Sequence, residues 1–322
     1  MRRACSAFTS LTRRDDRVKA TAMDLFEFRP IVCPTCGVDE TRALGVRGGA
    51  AHRSRAGVAC TVVECERCGL LYANPFPFPR DLDALYSGTE DYFGAHDDQN
   101  PAGFVLALDM VGRMTPGRRL LDVGAGRGGM VEAALGRGWD AWGIESASGF
   151  AAAADERCPG RVVHGLLEDA PASLVAEPYD VVMLAAVLEH LHHPTRVLGE
   201  IARVLKPGGV LYVEVPNEGG LFYLAGNLWE RLRGTPAVAH MSPTFSPYHV
   251  FGFTPRSLTA MLRGQGLEPE EWHFYSGVSQ LTRRPSLRGA LEWAGSKAIH
   301  SSSIGRLGNT MIALSRRTSA AV

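Results

Sequence analysis

The chain has 322 residues with 34 basic and 34 acidic side chains, so its formal net charge is zero. That balance argues against broad electrostatic steering toward nucleic acid or an anionic membrane. With 45% hydrophobic and 21% charged residues, the composition is that of an ordinary globular protein long enough for a sizeable core, and no apolar run approaches the ~20 residues needed to span a bilayer.

The neutrality hides local imbalance: residues 1–80 carry 13 basic and 8 acidic side chains, and residues 281–322 carry 7 basic and 1 acidic. Both read as solvated ends. The first 22 residues hold five arginines without an apolar stretch, which is not the pattern of a secretory signal. Cytoplasm is the expected location, with a small molecule as the expected partner and neither nucleic acid nor membrane. No pattern speaks to oligomeric state. Met23 opens a cleaner segment, so residues 1–28 read as an extension ahead of the first folded unit.

Residues 29–80 carry the cysteines that matter. Cys33-Pro-Thr-Cys36-Gly37 and Cys65-Glu-Arg-Cys68-Gly69 are two C-x-x-C-G turns with 28 residues between them. A C-x-x-C turn sets two thiolates on one side, and the glycine lets the chain fold back. Two such turns at the ends of a hairpin supply the four soft ligands of a tetrahedral zinc. The other reading is two coincidental pairs of reduced cysteines. A redox pair is disfavoured because neither sits at a strand–helix junction. With Cys33, Cys36, Cys65 and Cys68 all committed, such a zinc is structural and the module is a zinc ribbon. Asn74-Pro-Phe-Pro-Phe-Pro79 then reads as a stiff extended linker.

Residues 81–116 read as a helical connecting segment with interruptions. From Arg118 strands and helices alternate. Arg119–Val123, Ala141–Ile144, Arg161–His164, Val181–Ala185 and Val210–Val215 are the strands, and helices start near Met130 and Thr195. Lys206-Pro-Gly-Gly209 stops the second helix. This alternation predicts an α/β fold with a doubly wound parallel sheet, its core over 117–216. Residues 217–253, rich in aromatics and proline, read as an irregular lid that binds the acceptor. Residues 254–322 complete the sheet, with a helix capped by Thr254 and Pro255 and closing strands at 270–275 and 310–315.

Leu120-Leu-Asp122-Val-Gly124-Ala-Gly126-Arg-Gly128-Gly129 places a glycine turn between strand and helix, where backbone can approach a ligand. The spacing also satisfies the dinucleotide pattern G-x-G-x-x-G. Asp122 argues against that, because a carboxylate there suits a cationic amine and not a pyrophosphate. Glu145 ends the next strand, where a carboxylate can accept two hydrogen bonds from a ribose diol. It also fits an exposed strand-end acid. A nicotinamide oxidoreductase or epimerase needs hydride machinery such as Tyr-x-x-x-Lys, which does not occur.

The ordered series Leu-Asp122-Val-Gly124-x-Gly126-x-Gly128, Gly143-Ile-Glu145, Tyr179-Asp180-Val-Val, Leu188-Glu-His190-Leu and Leu205-Lys-Pro-Gly-Gly209 resembles the class I S-adenosylmethionine (SAM)-dependent methyltransferases. The front end, Cys65-x-x-Cys68-Gly-Leu-Leu-Tyr72-Ala-Asn74-Pro75, resembles the subfamily with an N-terminal zinc-binding domain, which includes sugar and natural-product methyltransferases. The resemblance covers about residues 105–275. It implies a Rossmann-like seven-stranded sheet, SAM as cofactor, and methyl transfer to a small sugar-like or natural-product-like acceptor. Carried onto this chain, it sets Asp122, Gly124 and Gly126 at the methionine end of SAM and Glu145 at the ribose. Leu167 and Glu168 fall by the adenine, and Ala185 and Val187 face the methionine moiety. One departure is Leu166, where the family often has an acid after the third strand's glycine.

In-line methyl transfer needs alignment and water exclusion, and a base only when the acceptor must lose a proton. His190 and His249 are the candidate bases, though a structural role suits either. A metal held by His190, His192 and His193 is a weaker alternative. Tyr92, Phe93, Phe222, Tyr223, Trp229, Phe245 and Tyr248 are candidates for an acceptor pocket. A fold kept only for SAM binding or docking, without catalysis, stays open at this level.

Overall fold

The computed structural model describes residues 25–81, 85, 101–276 and 305–318. Tyr92, Phe93, the early part of the 81–116 segment and most of the N-terminal extension lie outside them.

Five strands precede the first long helix: β1 (Phe26–Arg29), β2 (Thr41–Arg47), β3 (Cys60–Cys65), β4 (Leu71–Ala73) and β5 (Phe76–Pro79). β5 coincides with the proline-rich stretch. It pairs antiparallel with β1, so the segment is an edge strand and not a free linker. An edge tolerates prolines because half of its N–H groups need no partner. The second half continues with α1 (Pro101–Met114), β6 (Arg119–Val123), α2 (Gly129–Leu135), β7 (Asp140–Glu145), α3 (Ser148–Arg157), β8 (Val162–His164), α4 (Ala172–Val175) and β9 (Tyr179–Ala185). It ends with α5 (Pro194–Val204), β10 (Leu205–Pro216), α6 (Leu221–Leu232), β11 (Phe251–Gly252), α7 (Pro255–Arg263), β12 (Leu267–Tyr275) and β13 (Thr310–Arg317).

Seven strands form one sheet in the order β12-β13-β10-β9-β6-β7-β8. The five from β8 to β10 are parallel, and β13 runs antiparallel between β10 and β12. The expected Rossmann-like α/β sheet is therefore present. Its centre is apolar because both faces are covered: Val181, Val182, Met183 and Leu184 of β9 are fully buried. α5 turns Val197, Leu198, Ile201 and Ala202 into the core. α7 starts at Thr254, whose hydroxyl accepts from the Ser257 N–H in a capping box with Pro255 next in line, as the sequence predicts.

A four-stranded sheet, β11-β4-β3-β2, makes the N-terminal unit. Its fourth strand comes from the second half of the chain, since Phe251 pairs with Tyr72 and Gly252 with Leu71. The 217–253 segment is docked on the same unit. Thr244 Oγ1 donates to Val58 O at 2.7 Å and Arg47 Nε donates to Met241 O at 2.9 Å. The segment also holds a regular helix, α6, where the sequence suggested irregular chain. Its apolar residues share one face, but that face is the exposed one, so the pattern does not read as a core helix.

Candidate functional site

The two cysteine turns are superimposable in their hydrogen bonding. Gly37 N–H donates to Cys33 O at 2.8 Å, and Gly69 N–H donates to Cys65 O at 2.9 Å. Both glycines need positive φ, +72° and +78°, which only glycine adopts cheaply. The four sulfurs lie within 4.8 Å of one another, with Cys33–Cys68 and Cys36–Cys65 each at 3.5 Å. A tetrahedral zinc with Zn–S of ~2.3 Å sets its sulfurs roughly 3.8 Å apart. The neighbouring Cys68 sulfur, with burial, pushes the Cys33 thiol well above its ordinary range. So tight a cluster cannot ionise together without a cation, and the donor set fits zinc.

A cavity of about 1260 Å³ opens at the carboxyl ends of β6, β7, β9 and β10, where open α/β sheets bind ligands. Asp122, Gly124, Gly126, Glu145, Glu168, Ala185, Val187, His190 and His249 all line it. Leu167 does not. It is 3% exposed within the core, and its neighbour Leu166 stands on the cavity wall. The short helical turn Leu167–Asp169 points alternate side chains in and out, which spacing alone does not reveal.

The glycine turn is built around Glu145. Its Oε2 accepts the Gly126 N–H at 2.8 Å and its Oε1 accepts the Ala147 N–H at 2.7 Å. Gly124 sits at φ +77°, and a Cβ there would meet Val187 Cγ2 at 2.5 Å. If the glycine turn holds SAM as the sequence reading expects, Gly124→Ala should abolish measurable SAM binding in calorimetry, because backbone strain and the clash both fall on that turn. Wild-type affinity in that variant would contradict the placement.

The same cavity carries a cluster that sequence reading gave only partly. Glu189 is 2% exposed. Its Oε1 lies 3.9 Å from His190 Nε2 and 4.0 Å from His249 Nε2, and its Oε2 has no hydrogen-bond partner. The two imidazoles meet edge to face with centroids 4.8 Å apart. His190 Nδ1 reaches the Tyr248 carbonyl at 3.3 Å, leaving Nε2 toward the acid. Nearby, Tyr212 donates to Glu214 Oε2 at 2.6 Å and Tyr275 donates to Glu214 Oε1. Glu189 stood in the sequence beside His190 and was legible as part of its motif. Glu214 and Tyr212 sit two apart on one strand face, a weak signal shared by any strand.

Burial holds Glu189 at about 8 and keeps His190 and His249 neutral, at about 4 and 3. The linkage follows. Between pH 4.5 and 6.5, the ordinary values of Glu and His, the unfolded chain gains protons on the histidines that the folded state refuses. Stability therefore rises with pH there. Between 6.5 and 8, of these three groups only Glu189 differs, and it holds a proton only when folded, so its contribution falls as pH rises. Thermal unfolding of wild type against Glu189→Gln is expected to show the alkaline fall in wild type alone. Parallel curves would contradict it.

His192 leaves the cluster. Its ring packs edge-on against Phe76 at 5.8 Å, so the three-histidine metal arrangement is not formed. The expected aromatic lining changes too. Phe222 and Trp229 are exposed, Tyr223 stacks on His240 and Phe245 packs against His52. Phe104, Phe150, Phe274, Tyr212 and Tyr275 line the cavity instead.

A seven-stranded sheet of this order, with a glycine turn and a strand-end acid at its carboxyl edge, defines a class I SAM-dependent methyltransferase. Residues 102–272 match the family model described as a methyltransferase domain, and the chain belongs to that family. Among curated relatives, a ubiquinone biosynthesis O-methyltransferase of Xylella fastidiosa is 28% identical over 207 residues, covering 59% of this chain and 79% of that protein. One from Methylococcus capsulatus is 27% identical over 202 residues, covering 58% and 83%. A solved SAM-dependent methyltransferase from Archaeoglobus fulgidus is 19% identical and covers 72% of this chain and 99% of its own, with a TM-score of 0.48.

Proposed function

We propose that this enzyme O-methylates a small-molecule hydroxyl, phenolic or sugar-like, with the neutral imidazole of His249 or His190 taking the hydroxyl proton and the protonated Glu189 beside them holding the pair in place. The observation that carries this reading is the buried Glu189–His190–His249 cluster on the wall of the cavity that Gly124 and Glu145 also line. SAM, when bound, supplies an electrophilic methyl group. The chain's own residues do the rest. Glu145 accepts the ribose hydroxyls, and Asp122, Gly124 and Gly126 border the amino-acid end. Leu166 and Glu168 flank the adenine, and Ala185 and Val187 lie along the methionine chain. A neutral imidazole is the protonation state a base needs, and burial supplies it here. The relatives are O-methyltransferases by name, which favours a hydroxyl acceptor. The zinc ribbon, residues 29–80, acts as scaffold for the lid at 217–253.

The test is transfer from radiolabelled SAM to dihydroxybenzoates and to nucleotide sugars, compared between wild type and His249→Gln. Turnover on one class, lost at least ~100-fold in the variant with SAM binding kept, is the expected result. Unchanged turnover in the variant would remove His249 from the chemistry.

A further inference from the structure

Helix α6 faces the wrong way for a helix of a globular surface. Of the ten large hydrophobic side chains exposed among the described residues, six belong to it: Leu221 41%, Phe222 56%, Leu224 50%, Leu228 57%, Trp229 61% and Leu232 76%. At ~100° per residue these six, with Ala225, fill one arc of roughly 160°. None of the helix's residues is buried.

The opposite face ties it down. Gly226 is packed so closely that a Cβ would meet Ala239 at 2.7 Å. Asn227 Oδ1 accepts the Ala239 N–H at 2.8 Å and its Nδ2 reaches His240 Nε2 at 2.7 Å. His240 Nδ1 in turn donates to the buried Glu218 at 2.7 Å. A helix this firmly anchored by polar groups presents its apolar arc by construction and not through loose packing.

Charge says what the arc is for. Arg231 borders it on the Leu224 side and Arg233, the next residue past the helix, borders it on the Phe222 side. Both are exposed. The helix's one acid, Glu230, points away from the arc, takes the Thr235 hydroxyl at 2.6 Å and lies 3.8 Å from Arg233 Nη1, so Arg231 is the rim cation with no acid against it among the described residues and Arg233 is shared between Glu230 and the rim. An apolar face holding Leu, Phe and Trp, rimmed by arginines and free of acid, is what lies flat in a bilayer interface with its cations at the phosphates. We infer that α6 seats the enzyme on an anionic lipid surface. This revises the expectation, drawn from zero net charge, that no membrane is engaged: a neutral total conceals a cationic, apolar patch. The inference is independent of which acceptor the cavity takes.

Cosedimentation of the full chain with vesicles tests it. Vesicles of phosphatidylcholine with one quarter phosphatidylglycerol should carry down the wild type. Leu228→Gln/Trp229→Gln should lose at least ~10-fold in partitioning, and Arg231→Gln/Arg233→Gln should lose the preference for phosphatidylglycerol. SAM binding, measured in parallel, should stay unchanged in both variants, which shows that they fold. Absence of vesicle binding, or binding that both variants retain, overturns the inference. Concentration-dependent self-association of wild type that Leu228→Gln/Trp229→Gln abolishes, without vesicle binding, would assign the face to a second copy instead. Equal binding to phosphatidylcholine alone would overturn the role of the arginines.

Discussion

Glu145→Gln is expected to weaken SAM binding by roughly 100-fold, the equivalent of two charge-assisted hydrogen bonds at about 1.5 kcal/mol each. Both carboxylate oxygens already accept a backbone N–H, from Gly126 and from Ala147. An amide in that place must aim its NH₂ at one of the two donors, so one contact becomes donor against donor. The glycine turn then loses a pin at the same moment the ribose loses an acceptor. Isothermal titration with SAM measures the effect. A loss below about threefold would mean that Glu145 only shapes the turn and does not hold the ribose.

Cys65→Ser should remove one bound zinc per chain and lower the unfolding midpoint on the order of 10 °C, because structural zinc supplies folding energy directly. Its consequence should reach the cavity by a short path. Cys65 ends β3, β3 pairs with β4, and β4 pairs with β11. The residue just before β11, Val250, donates its N–H to Glu189 O at 2.8 Å, and His249 precedes it. The proposed donor site stands on β6 and β7, which share no hydrogen bond with the ribbon sheet. Turnover should therefore fall far more than SAM affinity when zinc is lost. Metal analysis, thermal unfolding and titration on one preparation check all three. A zinc-free variant with full turnover would show the ribbon to be detachable.

How much of this was readable beforehand varied with the physics. The parallel core was legible because strands buried on both faces read as apolar runs and the glycine turn has one conformational reason to exist. Gly124, Gly126 and Glu145 came from that turn, and they share one cavity wall. The cysteine turns were legible for the same reason: Gly37 and Gly69 repeat a local geometry that sequence encodes locally. The borrowing of β11 by the ribbon sheet was not legible, since a two-residue strand carries no period. Nor was the meeting of Glu189 with His249, which lie sixty residues apart and are joined only by the fold. α6 was missed because period-based reading presumes a polar outer face, and this helix has an apolar one.

The central claim is that the glycine turn and Glu145 hold SAM for transfer to an acceptor. Titration of the purified wild-type chain with SAM, and separately with NAD, tests it most directly. The account predicts saturable binding of one SAM per chain and none of NAD. A folded, zinc-loaded protein that fails to bind SAM, or that binds NAD in its place, would contradict it.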